Sequence, residues 1–107
     1  MRYKTGDIVL VAFPFTNLKK VKKRPVLVIN STSDYGDIVC FQITSNKQQS
    51  SLLEIDDDNL ERALPKTSYV KYDKCFTVSS EVIDKKISHV NRTFLDMVKK
   101  KFCDVAF

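Results

Sequence analysis

A run of cations is the feature of this sequence that points most directly to chemistry. Five of the six residues from 19 to 24 are Lys or Arg, and an apolar stretch opened by Pro25 follows them. Over the whole chain, 18 Lys and Arg outnumber 13 Asp and Glu, for a net charge of +5. Such a balance attracts polyanions, nucleic acid among them. A solvated surface explains many charge runs equally well, so composition leaves both interpretations open. The cations are Lys19, Lys20, Lys22, Lys23 and Arg24.

Acid–base and thiol chemistry have few candidates in this chain. His89 is the only histidine, and imidazole is the usual group for proton transfer near neutral pH. It lies directly before a predicted helix, and we expect a structural or solvent-facing role for it rather than that of a base. The cysteines are odd in number and far apart, which fits neither a disulfide framework nor clustered zinc ligands. We expect Cys40, Cys75 and Cys103 to be reduced core thiols.

The length of the chain predicts one domain, over residues 1–107. The N-terminal stretch "MRYKTGDIVLVAFPF" has a basic start, but Pro14 interrupts its apolar run and no small-residue cleavage site follows. We therefore do not expect a signal peptide. No segment approaches the roughly 18–20 apolar residues of a membrane span. The expected location is the cytoplasm.

The elements that must position these residues begin with two similar stretches. "GDIVLVAF" and "GDIVCFQI" start at Gly6 and Gly36, and in each a turn residue precedes a largely β-branched apolar run. That pattern predicts a strand leaving a turn. Between them, "PVLVIN" predicts a third strand, with Pro25 at its first position, where a missing N–H costs least. Together these three strands predict a meander.

The second half of the chain predicts shorter strands and a closing helix. "SLLEI", "TSYVKYD" and "CFTVS" have strand character, and "DDDNLERAL" has room for one helical turn. Short strands joined by tight loops indicate a small barrel. After them, apolar residues recur at helical spacing, and Asn91 or Thr93 could cap the helix. The apolar face comprises Phe94, Leu95, Val98, Phe102 and Val105.

Four blocks, in this order and at this spacing, resemble the MazF/PemK family of toxin–antitoxin ribonucleases. They are "TGDIVLVAFPFTN", "KKRPVLVIN", "ITSN" and "TSYVKYDKCFTVSSEVIDKKI". The Arg-Pro that opens the second predicted strand and the Thr-Ser that ends the third are the more specific parts. The resemblance implies a mainly β fold with a C-terminal helix, namely an SH3-like barrel of the CcdB, MazF and PemK toxin type, usually as a homodimer.

The resemblance also implies an activity and the residues that carry it. The expected reaction is sequence-specific, metal-independent cleavage of single-stranded RNA, with no cofactor, held off by a cognate antitoxin. The catalytic arginine of the family matches Arg24, whose fork suits phosphate oxygens. The catalytic threonine matches Thr44, whose hydroxyl can orient an attacking or leaving oxygen. Ser45 is a further catalytic or binding candidate, and no general base can be named.

A loop between the first two predicted strands would carry the lysines beside Arg24 and concentrate RNA there. An acidic, partly disordered antitoxin tail could compete for the same groove. Asn46 follows the Thr-Ser pair, and Asp73 and Lys74 align with a segment that flanks the groove in relatives. The expected RNA-binding residues are Lys19, Lys20, Lys22, Lys23, Asn46, Asp73 and Lys74.

Three other functions compete with the nuclease. A gyrase-poisoning toxin of the CcdB type shares the fold, but its activity needs a C-terminal tryptophan, and this chain has no Trp. A module that binds RNA or an antitoxin without cleaving is compatible with the missing base. An SH3-like module for proline-rich peptides would need an aromatic groove with acidic residues. The cationic run argues against this function.

Overall fold

The computed structural model describes residues 3–14, 21–32 and 36–106. Six strands, two short 3-10 helices and one α-helix follow one another along these residues. The strands are β1 (Asp7–Pro14), β2 (Val21–Thr32), β3 (Asp37–Thr44), β4 (Leu52–Glu54), β5 (Tyr69–Ser79) and β6 (Ile83–His89). The 3-10 helices cover Asp57–Asn59 and Ser80–Val82, and α1 covers Arg92–Ala106.

All six strands form one antiparallel sheet in the order β4-β5-β3-β2-β1-β6. The predicted meander is confirmed, since β2 pairs with both β1 and β3. The predicted class, mainly β with a C-terminal helix, is also confirmed. The sheet is not closed, because the described strands β4 and β6 form its two edges and do not pair with each other.

The start of the second strand was predicted too late in the chain. β2 begins at Val21 rather than at Pro25, so the predicted loop cations Lys22 and Lys23 lie on a strand. Lys23 pairs with Ala12 across the β1–β2 hairpin. The β3 ladder reaches back only to Val26, so this first part of β2 has one neighbouring strand, where proline is tolerated. A charged hairpin extension is compatible with strand pairing because its side chains remain in water.

Two further strand predictions need correction. "TSYVKYD" and "CFTVS" belong to one strand, β5, which contains a wide bulge: Phe41 faces Cys75 while the next residue, Gln42, faces Lys71. The three residues between those partners, 72–74, have no partner on β3 in this ladder. β6 was not predicted, since its polar face and two irregularities against β1 hide the period of two.

Apolar residues pack on both faces of the sheet, as alternation along each strand requires. One face, with Ile8, Leu27 and Phe41, packs under α1 through Phe94. The opposite face contains a smaller cluster. Its members are Val9, Val11, Val26, Val28, Ile38 and Cys40.

The C-terminal helix begins with a side-chain cap. Asn91 is that cap, because its Oδ1 accepts a hydrogen bond from the Phe94 backbone N–H at 2.9 Å. The predicted apolar face is buried at Phe94, Leu95 and Val98, but Val105 is exposed. Within the described part of the chain, no helix has both the length and the apolar character that crossing a membrane requires.

Only one of the cysteines is a core thiol. Cys40 is buried in the smaller cluster, whereas Cys75 and Cys103 are exposed, and all three are free. The prediction of core thiols was therefore wrong for the latter two. Cys75 follows the β5 bulge, and Cys103 lies on the outer side of α1, where the helix leaves its side chains in water.

The Cys40 thiol makes folding stability depend on alkaline pH. Burial, with the neighbouring Cys75 as a second cause, raises the pKa of Cys40 from 9.0 to about 12. Above pH 9.0 the unfolded chain releases a proton that the native state keeps, so this contribution to stability is lost as pH rises toward about 12. We expect a slope of about −1.4 kcal/mol per pH unit in the free energy of unfolding. Urea unfolding between about pH 8 and about pH 10.5 measures it.

Two variants separate the contribution of Cys40 to that slope from the contributions of other groups that titrate at high pH. Cys40→Ala should remove it, although its stability at neutral pH falls because a cavity forms. Cys103→Ala serves as the matched control, since this thiol is exposed and its removal should leave the slope unchanged. Equal slopes in wild type and Cys40→Ala would contradict the assignment.

Candidate active site

A cavity of about 330 Å³ lies near the start of β2 and the end of β3, against a segment that precedes β5. Its lining combines apolar strand residues with polar side chains. The lining residues are Leu10, Arg24, Pro25, Ile43, Thr44, Ser45, Leu64, Pro65, Lys66, Ser68 and Ile87. Three predicted site residues, Arg24, Thr44 and Ser45, are therefore brought together here.

Strand register explains why Arg24 and Thr44 meet. In the β2–β3 ladder, Val26 pairs with Gln42. That pair ends the ladder, so Arg24 lies two residues before it on β2 and Thr44 two residues after it on β3. Two residues 20 positions apart in the sequence thus become neighbours through the sheet.

Thr44 is held by the turn that follows β3. Its Oγ accepts a hydrogen bond from the Asn46 backbone N–H at 3.1 Å. Because the oxygen accepts in this contact, the hydroxyl hydrogen can donate to another oxygen, such as that of a phosphate. The Asn46 side chain closes the turn, since its Oδ1 accepts from the Gln48 N–H at 3.0 Å. Asn46 therefore shapes this rim of the cavity, and it does not belong to the cavity lining.

Sequence patterns did not predict one part of the cavity lining. It consists of Leu64, Pro65, Lys66 and Ser68, from the segment between Asp57–Asn59 and β5. The Ser68 hydroxyl donates to the Lys66 carbonyl at 2.9 Å and is buried, which fixes this segment before the strand. The only sequence signal was the polar "PKTS" stretch directly before a predicted strand.

Of the predicted RNA-binding lysines of the hairpin, Lys22 and Lys23 are described, and neither lines the cavity. Lys23 forms an ion pair with Asp84 of β6 at 3.2 Å, with both side chains partly exposed. Lys22 is exposed on the same strand. Lys19 and Lys20 fall outside the described residues. Part of the positive charge on this hairpin is thus compensated locally.

Asp73 and Lys74 lie in the β5 bulge, and neither lines the cavity. Asp73 accepts from the nearly buried Lys71, with Nζ to Oδ1 at 3.0 Å. The same ammonium donates to the Ser50 carbonyl at 3.0 Å. The Asp73 carboxylate therefore neutralises a structural lysine, which gives it a role within the fold, whereas Lys74 is exposed.

The cavity combines two cationic groups with hydroxyl donors. Among the described residues that line it, Arg24 and Lys66 carry charge, and none is a carboxylate or an imidazole. This set suits a bound phosphate whose negative charge grows during a reaction. His89 lies elsewhere, with Nδ1 2.8 Å from Oδ1 of the buried Asp7, and it does not line this cavity.

Solved structures show the same fold. The MazE–MazF crystal structure (Form-II) from Deinococcus radiodurans matches with a TM-score of 0.79 and 15% identity over 97% of this chain and 95% of that chain. An endoribonuclease in complex with its cognate antitoxin from a mycobacterial species matches with a TM-score of 0.75 and 12% identity over 96% and 93%. The Mycobacterium tuberculosis toxin MazF-mt6 matches with a TM-score of 0.70 and 16% identity over 92% of this chain and 93% of that chain. No curated protein sequence matches this chain significantly.

These matches define the class of the fold, that of the MazF toxins. The family model for PemK-like, MazF-like toxins of type II toxin–antitoxin systems matches residues 4–106. The chain belongs to this family. The predicted resemblance is thereby confirmed over almost the whole length of the sequence.

Proposed function

We propose that this toxin is a sequence-specific endoribonuclease that cleaves single-stranded RNA without a metal. The observation that carries the proposal is the convergence of Arg24, Thr44 and Ser45 on one cavity that also contains the Lys66 ammonium. Endoribonucleases are among the proteins with the same fold, which supports the same reaction class.

In the proposed reaction, the ribose 2′-OH attacks the neighbouring phosphorus and the 5′ oxygen of the next nucleotide leaves. Negative charge grows on the phosphate oxygens in the transition state, and Arg24 would stabilise it with a planar, permanently charged fork. The Thr44 hydroxyl would donate to the attacking or leaving oxygen, with Ser45 as a second donor. Because the nucleophile is the 2′-OH, the substrate must be RNA.

Binding would rely on cations around the cavity. Lys22 and Lys23 on the hairpin, together with Lys19 and Lys20, would contact phosphates and raise the local concentration of RNA. Asn46 and Lys74 would contact the strand beyond the cavity. Asp73, held by Lys71, would act by shaping the β5 bulge. These contacts position the strand, and base-edge contacts would supply sequence preference.

The proposed partners are a cognate antitoxin and a second copy of the toxin, in the cytoplasm. Structures with this fold include complexes with antitoxins. An acidic antitoxin segment fits a chain with a net charge of +5, and it would exclude RNA by occupying the cationic cavity.

Incubation of a long single-stranded RNA with the purified chain in EDTA tests the proposal. We expect cuts at one short sequence, with 5′-hydroxyl and 2′,3′-cyclic phosphate ends, because the 2′-OH is the nucleophile. A DNA strand of the same sequence should stay intact. Loss of cleavage in EDTA, or equal cleavage of DNA, would contradict the proposed mechanism.

One observation favours a second function, RNA or antitoxin binding without cleavage. The described lining of the cavity lacks an imidazole or carboxylate that could serve as a general base. In that case the RNA would bind and remain intact under every condition of the same experiment. Binding with intact RNA therefore separates the binding module from the nuclease.

A further inference from the structure

A second groove, of about 400 Å³, lies between the start of β1 and helix α1. It is separate from the candidate active site, with which it shares no lining residue. Its cationic or potentially cationic side chains come from β6 and α1. The lining residues are Thr5, His89, Val90, Arg92, Leu95 and Lys99.

Helix α1 contributes three side chains to this groove, all from one face. Arg92, Leu95 and Lys99 are spaced three and four residues apart, so they lie on one face of α1. Leu95 is buried and anchors this face to the core. Arg92 is exposed, with Asp96 at 4.0 Å as a weak ion-pair partner. Lys99 is exposed and forms no ion pair with a residue that the structure describes.

A buried carboxylate orients His89 at the other side of the groove. The Nδ1 atom of His89 lies 2.8 Å from Oδ1 of Asp7, whose side chain is 5% exposed. The other carboxylate oxygen accepts from the Lys4 backbone N–H at 2.8 Å. With Nδ1 occupied by Asp7, Nε2 is the ring atom left to contact a ligand, and it is a donor when the imidazole is protonated.

The charges around His89 favour an anion in the groove. Asp7 faces the ring directly, and Lys86 lies behind it, 3.5 Å from the same carboxylate oxygen. Glu61 lies on the far side of Lys86 at 3.7 Å. Asp7 is thus compensated by Lys86 and by the backbone, so the open side of the groove presents Arg92 and Lys99.

We propose that this groove binds a phosphate group of a single-stranded RNA, at a place distinct from the cleavage cavity. The inference rests on the proposed function for its choice of RNA. Ile87 lines the cleavage cavity and His89, two residues further along β6, lines the groove. At strand spacing the two backbone positions are about 7 Å apart, so one RNA strand can reach both. The groove would hold the strand beyond the reacting phosphate.

Because His89 is the only histidine, its ring protons give an unambiguous NMR signal for the test. The probes are a 2′-O-methyl RNA oligonucleotide, which lacks the attacking hydroxyl, and inorganic phosphate. We expect the oligonucleotide to shift the His89 signals in a saturable way, because His89 lines the groove. Arg92→Ala and Lys99→Ala should each weaken this binding roughly fivefold.

Matched controls lie on the same helix. Lys100→Ala and Lys101→Ala remove the same charge at exposed positions outside the groove. They should change the affinity for the oligonucleotide less than twofold, because a single exposed charge contributes little energy. Arg92→Ala and Lys99→Ala should also make binding less sensitive to salt, each by about 0.7 in the log–log slope, because each removes one cation that neutralises a phosphate.

Several results would overturn the proposal. One is the absence of a saturable His89 shift with the oligonucleotide, and another is a loss of affinity in Lys100→Ala as large as that in Lys99→Ala. A response to inorganic phosphate alone would show that free phosphate, and not RNA, is the ligand. The oligonucleotide cannot be cut, so the NMR titration does not depend on cleavage. A saturable His89 shift, combined with intact RNA in the EDTA experiment, would contradict the nuclease proposal and support RNA binding in the groove.

Discussion

Replacing Arg24 with alanine is expected to abolish RNA cleavage while most RNA binding remains. Removal of one donor that stabilises transition-state charge typically lowers kcat by about 10²- to 10³-fold, and Arg24 offers several donors and a full charge. Its position in one cavity with Thr44 and Lys66 is the reason to expect an effect on the reaction rather than on affinity. Single-turnover cleavage of the mapped sequence measures the rate, and fluorescence anisotropy with 2′-O-methyl RNA measures the affinity.

Two variants make this prediction specific. Arg24→Lys keeps the charge but loses the planar fork, so we expect partial activity between those of wild type and Arg24→Ala. Arg62→Ala removes the same kind of side chain from an exposed position that does not line the cavity and should cleave at the wild-type rate. If Arg24→Ala cleaved as fast as Arg62→Ala, the catalytic assignment of Arg24 would be wrong.

Local patterns predicted the strands whose faces are distinctly apolar. β1 and β3 begin at Asp7 and Asp37, directly after the two glycines that the sequence indicated. Both Gly6 and Gly36 have positive φ, the conformation that glycine adopts without a Cβ penalty. The early start of β2 and the whole of β6 were missed, because both carry lysines. Pairing with β1 stabilises these residues, and a pairing partner is not visible in a local pattern.

The site was predictable only in part, for a related reason. Arg24 and Thr44 came from the family resemblance, and strand register explains their proximity. Lys66 and Ser68 are brought to the cavity by the segment between Asp57–Asn59 and β5, which forms neither a helix nor a strand. Asp73 was predicted to bind RNA, whereas in the structure it pairs with Lys71. This ion pair lies at the β5 bulge, which the sequence does not reveal. Contacts that depend on a bulge or an irregular segment leave little periodic signal in a sequence.

The cavity and the hydrophobic core are physically connected. Ile43 belongs to the main core cluster and also lines the cavity, directly before Thr44. Phe94 of α1 packs in the same cluster. The helix therefore supports the face of the sheet to which Ile43 belongs. A change in the helix is expected to act on the stability of the whole domain before it acts on the chemistry.

Phe94→Ala is accordingly expected to cost about 3–5 kcal/mol in the free energy of unfolding. The Phe94 side chain is fully buried, at 0% exposure, and its removal leaves a cavity between α1 and the sheet that close-packed neighbours fill only in part. A domain of this size has a total stability of about 5–15 kcal/mol, so the variant should unfold at a markedly lower urea concentration. Urea titration followed by circular dichroism measures the change.

Met97→Ala is the matched control, because Met97 lies one turn along α1 from Phe94 and is 44% exposed. We expect it to cost less than about 1 kcal/mol, so a similar destabilisation in both variants would place Phe94 outside the core. The cleavage rate per folded Phe94→Ala molecule should equal that of wild type at low temperature, since Arg24 and Thr44 belong to β2 and β3 and not to α1. A folded Phe94→Ala protein with wild-type RNA affinity but slow cleavage would instead show that the helix sets the geometry of the cavity.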